Sequence, residues 1–212
     1  MCGRFHNHVK AMHEWVDILG DWPTEAALSY NVAPTQPVPI VTEAGTVIAR
    51  WGLVPQWEKA FVTKYPTHNA RLETVREKPS FRAAWKHSRT CLIPTGGFYE
   101  WRKEGEIKQP YFIHKPDDLL VFAGLWECWH DRISFTILTT QSQGIIATLH
   151  HRMPVMLNRS AAQQWLKTST DKEQLLQKSP LKDTVEVYGV SRQVNKASNQ
   201  GPGLILQWPE KI

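Results

Sequence analysis

Between residues 89 and 157 short apolar runs of strand-forming residues alternate with turn residues. "RTCLIP" (89–94), "GFYEW" (97–101), "PYFIHK" (110–115), "LLVFAGLWE" (119–127), "RISFTILTT" (132–140) and "MPVML" (153–157) are rich in aliphatic and aromatic residues. Their spacing predicts consecutive antiparallel strands. Two extended segments precede them: the proline-punctuated "SYNVAPTQPVPIV" (29–41) and "TVIARWGLVPQW" (46–57), a strand running into a loop. Helical spacing is confined to the flanks. Val9, Met12, Val16 and Leu19 share one face of 8–19, and Gly20 is a natural stop. "PSFRAAWKH" (79–87) carries Pro79 in its first turn, while "SAAQQWLK" (160–167) and "DKEQLLQK" (171–178) follow the strands. A last strand is predicted at "VEVYGV" (185–190), before a polar stretch over 192–203 and a closing "LILQW" (204–208). No internal repeat, low-complexity block or linker divides the chain. The pattern predicts an α+β single domain over 1–212, with mostly antiparallel strands forming packed sheets or a distorted barrel and helices flanking them.

Composition narrows the class. The 212 residues are 42% hydrophobic, enough for a substantial core. No run of 18 apolar residues suggests a membrane span, and the start lacks the basic and apolar regions of a secretory signal. Cys2, Cys91 and Cys128 are far apart and odd in number, with no CxxC or CxxH neighbour. That argues against a disulfide framework or a zinc site and for a cytosolic protein with reduced thiols. No cofactor is expected, and nothing marks an oligomer interface, so a monomer is expected. The net charge of +5 and ten tryptophans admit a nucleic-acid partner, since exposed indoles stack on unpaired bases. Most tryptophans nevertheless fill cores.

Four stretches could carry chemistry. In "CGRF" (2–5), Cys2 follows the initiator methionine; once Met1 is cut away it offers an amine and a thiol on adjacent carbons. Read alone, it is most simply a buried thiol at a chain end. Arg4 places a cation near that thiol, which favours thiolate, and could equally hold a phosphate. In "THNARLET" (67–74), His68, Asn69, Arg71 and Glu73 are packed into one polar segment; the plain reading is a capped turn with Glu73 paired to Arg71. In "GFYEW", strand alternation puts Phe98 and Glu100 on one face and Tyr99 and Trp101 on the other. Facing inward, Glu100 would gain a raised pKa useful for acid–base work; facing outward, it would be an ordinary carboxylate. In "LHHRMPV" (149–155), two histidines precede Arg152; adjacent residues project differently, so at most one faces a common pocket.

These stretches, taken in order with "YNVAPTQ" (30–36), "RWGLVPQW" (50–57), "NARLET" (69–74), "CLIPTGGFYEW" (91–101), "HRMPV" (151–155) and "VSRQVN" (190–195), resemble the SRAP (SOS response-associated peptidase) family, whose members are abasic-site processing proteins. The resemblance covers nearly the whole length. It implies a DNA-repair activity in which Met1 is lost, single-stranded DNA is bound at an abasic site, and Cys2 links covalently to the ring-opened sugar aldehyde. The implied catalytic group is Cys2, Asn69, Glu100 and His150, with His151 standing where the family has an acidic residue. Arg4, Asn31, Pro34, Trp57, Arg71 and Arg152 are implied to face DNA.

The residues support that chemistry in their own right. An amine and a thiol on neighbouring carbons can attack one aldehyde carbon, the amine giving a Schiff base and the thiol closing a thiazolidine ring. A Schiff base that fails to close could undergo β-elimination, a lyase activity. Two other classes use the same sequence: a peptidase or amidohydrolase with Cys2 as nucleophile, limited in one form to removing the chain's own N-terminus, and a non-catalytic single-strand binder.

Overall fold

A computed structural model of the chain describes residues 2–7, 14–20, 22, 28–167, 171–178 and 185–208. In chain order the elements are β1 (Phe5–His6), α1 (Val16–Leu19), β2 (Pro37–Thr42), β3 (Gly45–Trp51), β4 (Asn69–Arg71), α2 (Pro79–Lys86), β5 (Thr90–Thr95) and β6 (Gly97–Glu104). There follow β7 (Ile107–His114), β8 (Leu120–Trp129), β9 (Arg132–Gln141), β10 (Arg152–Pro154), β11 (Met156–Leu157), α3 (Arg159–Trp165), α4 (Lys172–Lys178) and β12 (Glu186–Gly189). Strands pair with sequence neighbours wherever a tight turn allows it: β2 with β3, β6 with β7, and β8 with β9 are all antiparallel.

Five strands, β9-β3-β2-β5-β8, close into a barrel because β8 pairs back onto β9. The one parallel contact in that ring joins β3 to β9, and the short β4 adds a second parallel strand to β9, with Asn69 opposite Ile137. β1, β6, β7 and β12 form a second sheet. The predicted strand "MPVML" divides in two. Val155 donates its N–H to Leu138 and accepts one from Ala123, so the segment crosses from β9 to β8 at that residue.

Residues alternate between two apolar clusters along the barrel strands. Ile40, Ile93, Phe122 and Ile137 join Phe5 and Phe98 of the second sheet in one cluster. Val41, Leu92, Val121 and Leu138 join Leu19, Phe81 and Trp165 from the helices in another. Both faces of these strands are covered, which is why their sequences read as continuous apolar runs. The outer face of the second sheet carries a third cluster, Tyr99, Phe112, Val190, Val194 and Leu204. Gly97 opens β6 because nothing larger fits. A Cβ there would lie 2.4 Å from the Phe112 ring and 2.7 Å from the Ile113 carbonyl.

The first predicted helix changes most. Val9 and Met12 lie outside the described residues, and the helix that is described spans only Val16–Leu19. Val16, expected on the core face, is 54% exposed, while Trp15, Ile18 and Leu19 are buried. The Trp15 indole donates to Asp118 (2.9 Å), which turns the segment so that Ile18 rather than Val16 meets the core. No described helix is long and apolar enough to cross a membrane.

Candidate active site

The start of the chain is fixed on both sides. Phe5 exchanges backbone hydrogen bonds with Val32, and the Tyr99 N–H donates to the Arg4 carbonyl at 3.0 Å. This places Cys2 against the inter-sheet core, fully buried. β4 brings Asn69 to it, and the Asn69 amide donates to the Cys2 carbonyl at 2.7 Å. Asn69 is itself held by its neighbour, since the His68 carbonyl accepts from both the Trp51 indole (2.8 Å) and the Ile137 N–H (3.0 Å). The Asn69 side-chain oxygen is buried and has no hydrogen-bond partner. Trp51 and His68 thus support the site; His68 stands in the polar segment already singled out, whereas no sequence pattern distinguishes Trp51 from the other tryptophans of the core.

Strand alternation holds in β6. Phe98 joins the cluster that contains Cys2, Tyr99 packs on the opposite face, and Glu100 is 3% exposed. Burial raises the Glu100 carboxyl to about 7, with the positive charge of the amino terminus pulling the other way. Cys2 and Glu100 sense each other: burial first and the Glu100 charge second push the Cys2 thiol well above its usual range. The expectation that Arg4 would favour a thiolate is corrected here. The guanidinium turns away to Asn31 Oδ1 and the Val194 carbonyl (both 2.8 Å), and it is the Arg4 carbonyl that meets Cys2 Sγ, at 3.7 Å.

The histidine pair separates as neighbouring residues must. His151 is exposed and His150 half-buried, the two rings stacked with centroids 4.3 Å apart. His150 Nδ1 meets both the backbone N–H (3.0 Å) and the carbonyl (3.2 Å) of Arg152, which fixes the ring's orientation. Burial and then the amino-terminal charge lower the pKa of both His150 and His68. The positive charge of the amino terminus acts on Cys2, Glu100, His68 and His150 alike, and Asn69 holds the Cys2 carbonyl.

The six residues expected at a DNA surface divide. Trp57 is 56% exposed, Arg71 is exposed, and Pro34 and Arg4 are half-buried. Asn31 is fully buried: its amide donates to the carbonyls of Val194, Lys196 and Asn199 at 3.0–3.2 Å while its oxygen holds Arg4. Arg152 is nearly buried and grips Glu73 through both terminal nitrogens (2.8 and 2.9 Å), with a further bond to the Thr139 carbonyl. Glu73 is thus paired to Arg152 rather than to Arg71, and the hydrogen bond holds its carboxyl below the usual range. Both Asn31 and Arg152 brace the site from within. Among the described residues, no group of three or more His, Cys, Asp or Glu is placed to hold a metal.

The sequence profile of the SOS response associated peptidase (SRAP) family matches residues 1–197. The chain belongs to the SRAP family. SRAP relatives of similar length include the abasic site processing protein YoqW of Bacillus subtilis, 36% identical over 97% of this chain and 99% of its own. Another is the abasic site processing protein YedK of Escherichia coli, 28% identical over the same shares of the two chains. The SRAP fold is also that of a solved protein from Bacteroides thetaiotaomicron, with a TM-score of 0.84 at 24% identity over 98% of this chain and all of that one.

Proposed function

We propose that the protein processes abasic sites: it binds single-stranded DNA and joins Cys2 to the ring-opened sugar after loss of Met1 has freed the Cys2 amine. One observation carries this reading. A buried carboxyl that titrates near neutrality, Glu100, lies within electrostatic reach of Cys2, whose carbonyl Asn69 holds. Family membership and the names of the relatives support the same role.

The chemistry follows from the groups. The amine attacks the aldehyde carbon and forms a carbinolamine. Protonated Glu100 gives its proton to the departing hydroxyl, and water leaves an iminium behind. The Cys2 sulfur then adds to the same carbon, its proton passes to the Glu100 carboxylate, and the acid is restored. One water is lost per thiazolidine formed. A thiol kept protonated by burial suits this order, because it becomes a nucleophile only when the adjacent carboxylate has appeared. Holding both nucleophiles beside one carbon gives ring closure effective molarities of about 10⁵ M or more. In this scheme the His150 imidazole assists opening of the sugar ring, and the partnerless Asn69 oxygen accepts from the sugar or the new ring N–H. An iminium that fails to close loses the 3′ phosphate by β-elimination, which is a lyase activity.

Single-stranded DNA is the substrate because its backbone can bend a sugar into a buried site without breaking a stack. Arg4, Arg71, Pro34 and Trp57 meet the strand, Trp57 by stacking on a base beside the lesion. Asn31 and Arg152 act through the residues they hold.

The test is incubation with a single-stranded oligonucleotide bearing one abasic site, read by denaturing gel and intact mass. The expected product is a heat-stable adduct one water lighter than its parts, on a chain lacking Met1. No adduct from protein that has lost Met1 would refute the proposal, and cleavage of peptides without any adduct would assign the site to a hydrolase.

A further inference from the structure

A second concave feature lies outside the Cys2 constellation. A cleft of about 470 Å³ is bounded by Thr35, Ile48 and Arg50 on one side and by Phe61, Asp131 and Arg132 on the other. Its floor is an aromatic ring carrying two cations. The Arg132 guanidinium lies 3.8 Å above the Phe61 ring centre, and that of Arg50 lies 5.9 Å from it. Phe61 is backed by Trp129 (5.8 Å), whose indole donates to the Glu58 carbonyl at 2.8 Å and so fixes the 53–62 loop.

Neither arginine is neutralised. Among the described residues the Arg132 guanidinium makes no hydrogen bond or ion pair, and the Arg50 guanidinium spends one N–H on the Gly52 carbonyl (2.6 Å). Asp131 stands exposed at the rim and pairs with neither. Burial, and then the charge of Arg132, makes it harder for Arg50 to stay protonated. Arg50 and the exposed Arg132 carry like charges over one ring, and an anion between them would offset their repulsion.

The flanks of the cleft indicate which anion. Thr35 follows Pro34, and the loop that supplies Phe61 also carries Trp57; both Pro34 and Trp57 belong to the strand-binding face proposed above. Thr35 is a β-branched residue at φ +78°, a costly conformation held by its N–H bond to the Trp51 carbonyl at 2.7 Å. It turns the chain so that one side of the turn is Pro34 and the other is the cleft.

We infer that this cleft is a subsite for a backbone phosphate of the bound DNA strand, gripped by Arg50 and Arg132 a short way along from the lesion. The inference rests on the reading that the substrate is single-stranded DNA. Phe61 and Trp129 orient the guanidiniums, and Thr35 leads the strand in.

The experiment compares two abasic oligonucleotides, one with a single nucleotide on either side of the lesion and one extended by several nucleotides on both sides. Wild-type adduct formation with both tests the underlying reading separately. Binding by fluorescence anisotropy is then measured against salt for wild type, Arg132→Gln and Phe61→Leu. Arg132→Gln is expected to weaken the longer oligonucleotide about tenfold at low salt, as loss of a charge-assisted contact does. It should also flatten the slope of log K against log salt by about 0.7, one phosphate's worth for a single strand. The short oligonucleotide should be indifferent to it, and Phe61→Leu should shift the longer one in the same direction. An unchanged slope and affinity with the longer strand would overturn the subsite while leaving the Cys2 chemistry standing. So would a loss confined to inorganic phosphate or a mononucleotide, which would assign the cleft to a small ligand.

Discussion

Replacing Glu100 by glutamine separates the cost of a buried carboxyl from its use. Glutamine keeps the shape and one hydrogen-bonding oxygen but cannot ionise. Burial raises the Glu100 carboxyl from 4.5 to about 7, and that interval corresponds to about 3 kcal/mol of preference for the neutral form in the folded state. Because the folded value lies above the unfolded one, the stability contributed by the neutral carboxyl is complete below about pH 4.5 and is lost as pH rises to about 7, then levels off. Glu100→Gln feels none of this. Urea denaturation of wild type and variant at intervals between about pH 4 and pH 9 should therefore show the variant gaining about 3 kcal/mol relative to wild type, nearly all of it below neutrality. The same variant should form adduct about 10²–10⁴ times more slowly, the usual contribution of one general acid–base group. A stability difference that stays flat across that range would refute the claim that Glu100 is held as a poised acid. A variant with undiminished adduct rate would refute its role.

Asn69→Ala removes the donor to the Cys2 carbonyl and the partnerless acceptor together, and should slow adduct formation at saturating DNA by about 10–100-fold, checked by single-turnover gel assay. His150→Ala should slow the reaction while His151→Ala, at an exposed ring, leaves it near wild type; equal effects would contradict the inward placement of His150. Arg152→Lys keeps the charge but loses the two-pronged grip on Glu73, and should lower stability by about 1–2 kcal/mol in urea titration. Trp57→Ala should leave stability unchanged, since the indole is largely in solvent, and weaken binding of abasic single strands by about 1–3 kcal/mol in anisotropy.

What could be read from the sequence was the local repeat. The β-strands from β5 to β9 declare themselves because each alternates or runs apolar over many residues and turns back on its neighbour. β4 does not: it is three residues long and exists only through a parallel pairing with β9, some seventy residues away. Closure of the barrel through β3 and β9 is equally non-local. The same division runs through the site. Alternation in "GFYEW" placed Glu100 opposite Tyr99, and the different projection of neighbours separated His150 from His151. The partner of Glu73 and the direction of the Arg4 guanidinium depend on β10 and on the 194–199 segment, which no local pattern connects to residues 4 or 73. Asn31, which the resemblance implied would face DNA, is buried by a stretch of chain near the other end.

That distant stretch has a consequence in time. Arg4 is tied to Val194 across 190 residues, and ribosomes add about 5–20 residues per second. Roughly 10 to 40 seconds therefore separate the emergence of the first residues from that of the segment that anchors them. Throughout that interval the leading end lacks the bonds through Arg4 and Asn31 that secure it in the finished protein. On the reading proposed above, in which Met1 must be lost, this interval is the time when the leading end is least restrained, and it ends when residues 194–199 pack over Asn31. The proposed chemistry then carries a requirement on order: a chain that kept Met1 past that point would fold with the Cys2 amine still tied up in a peptide bond.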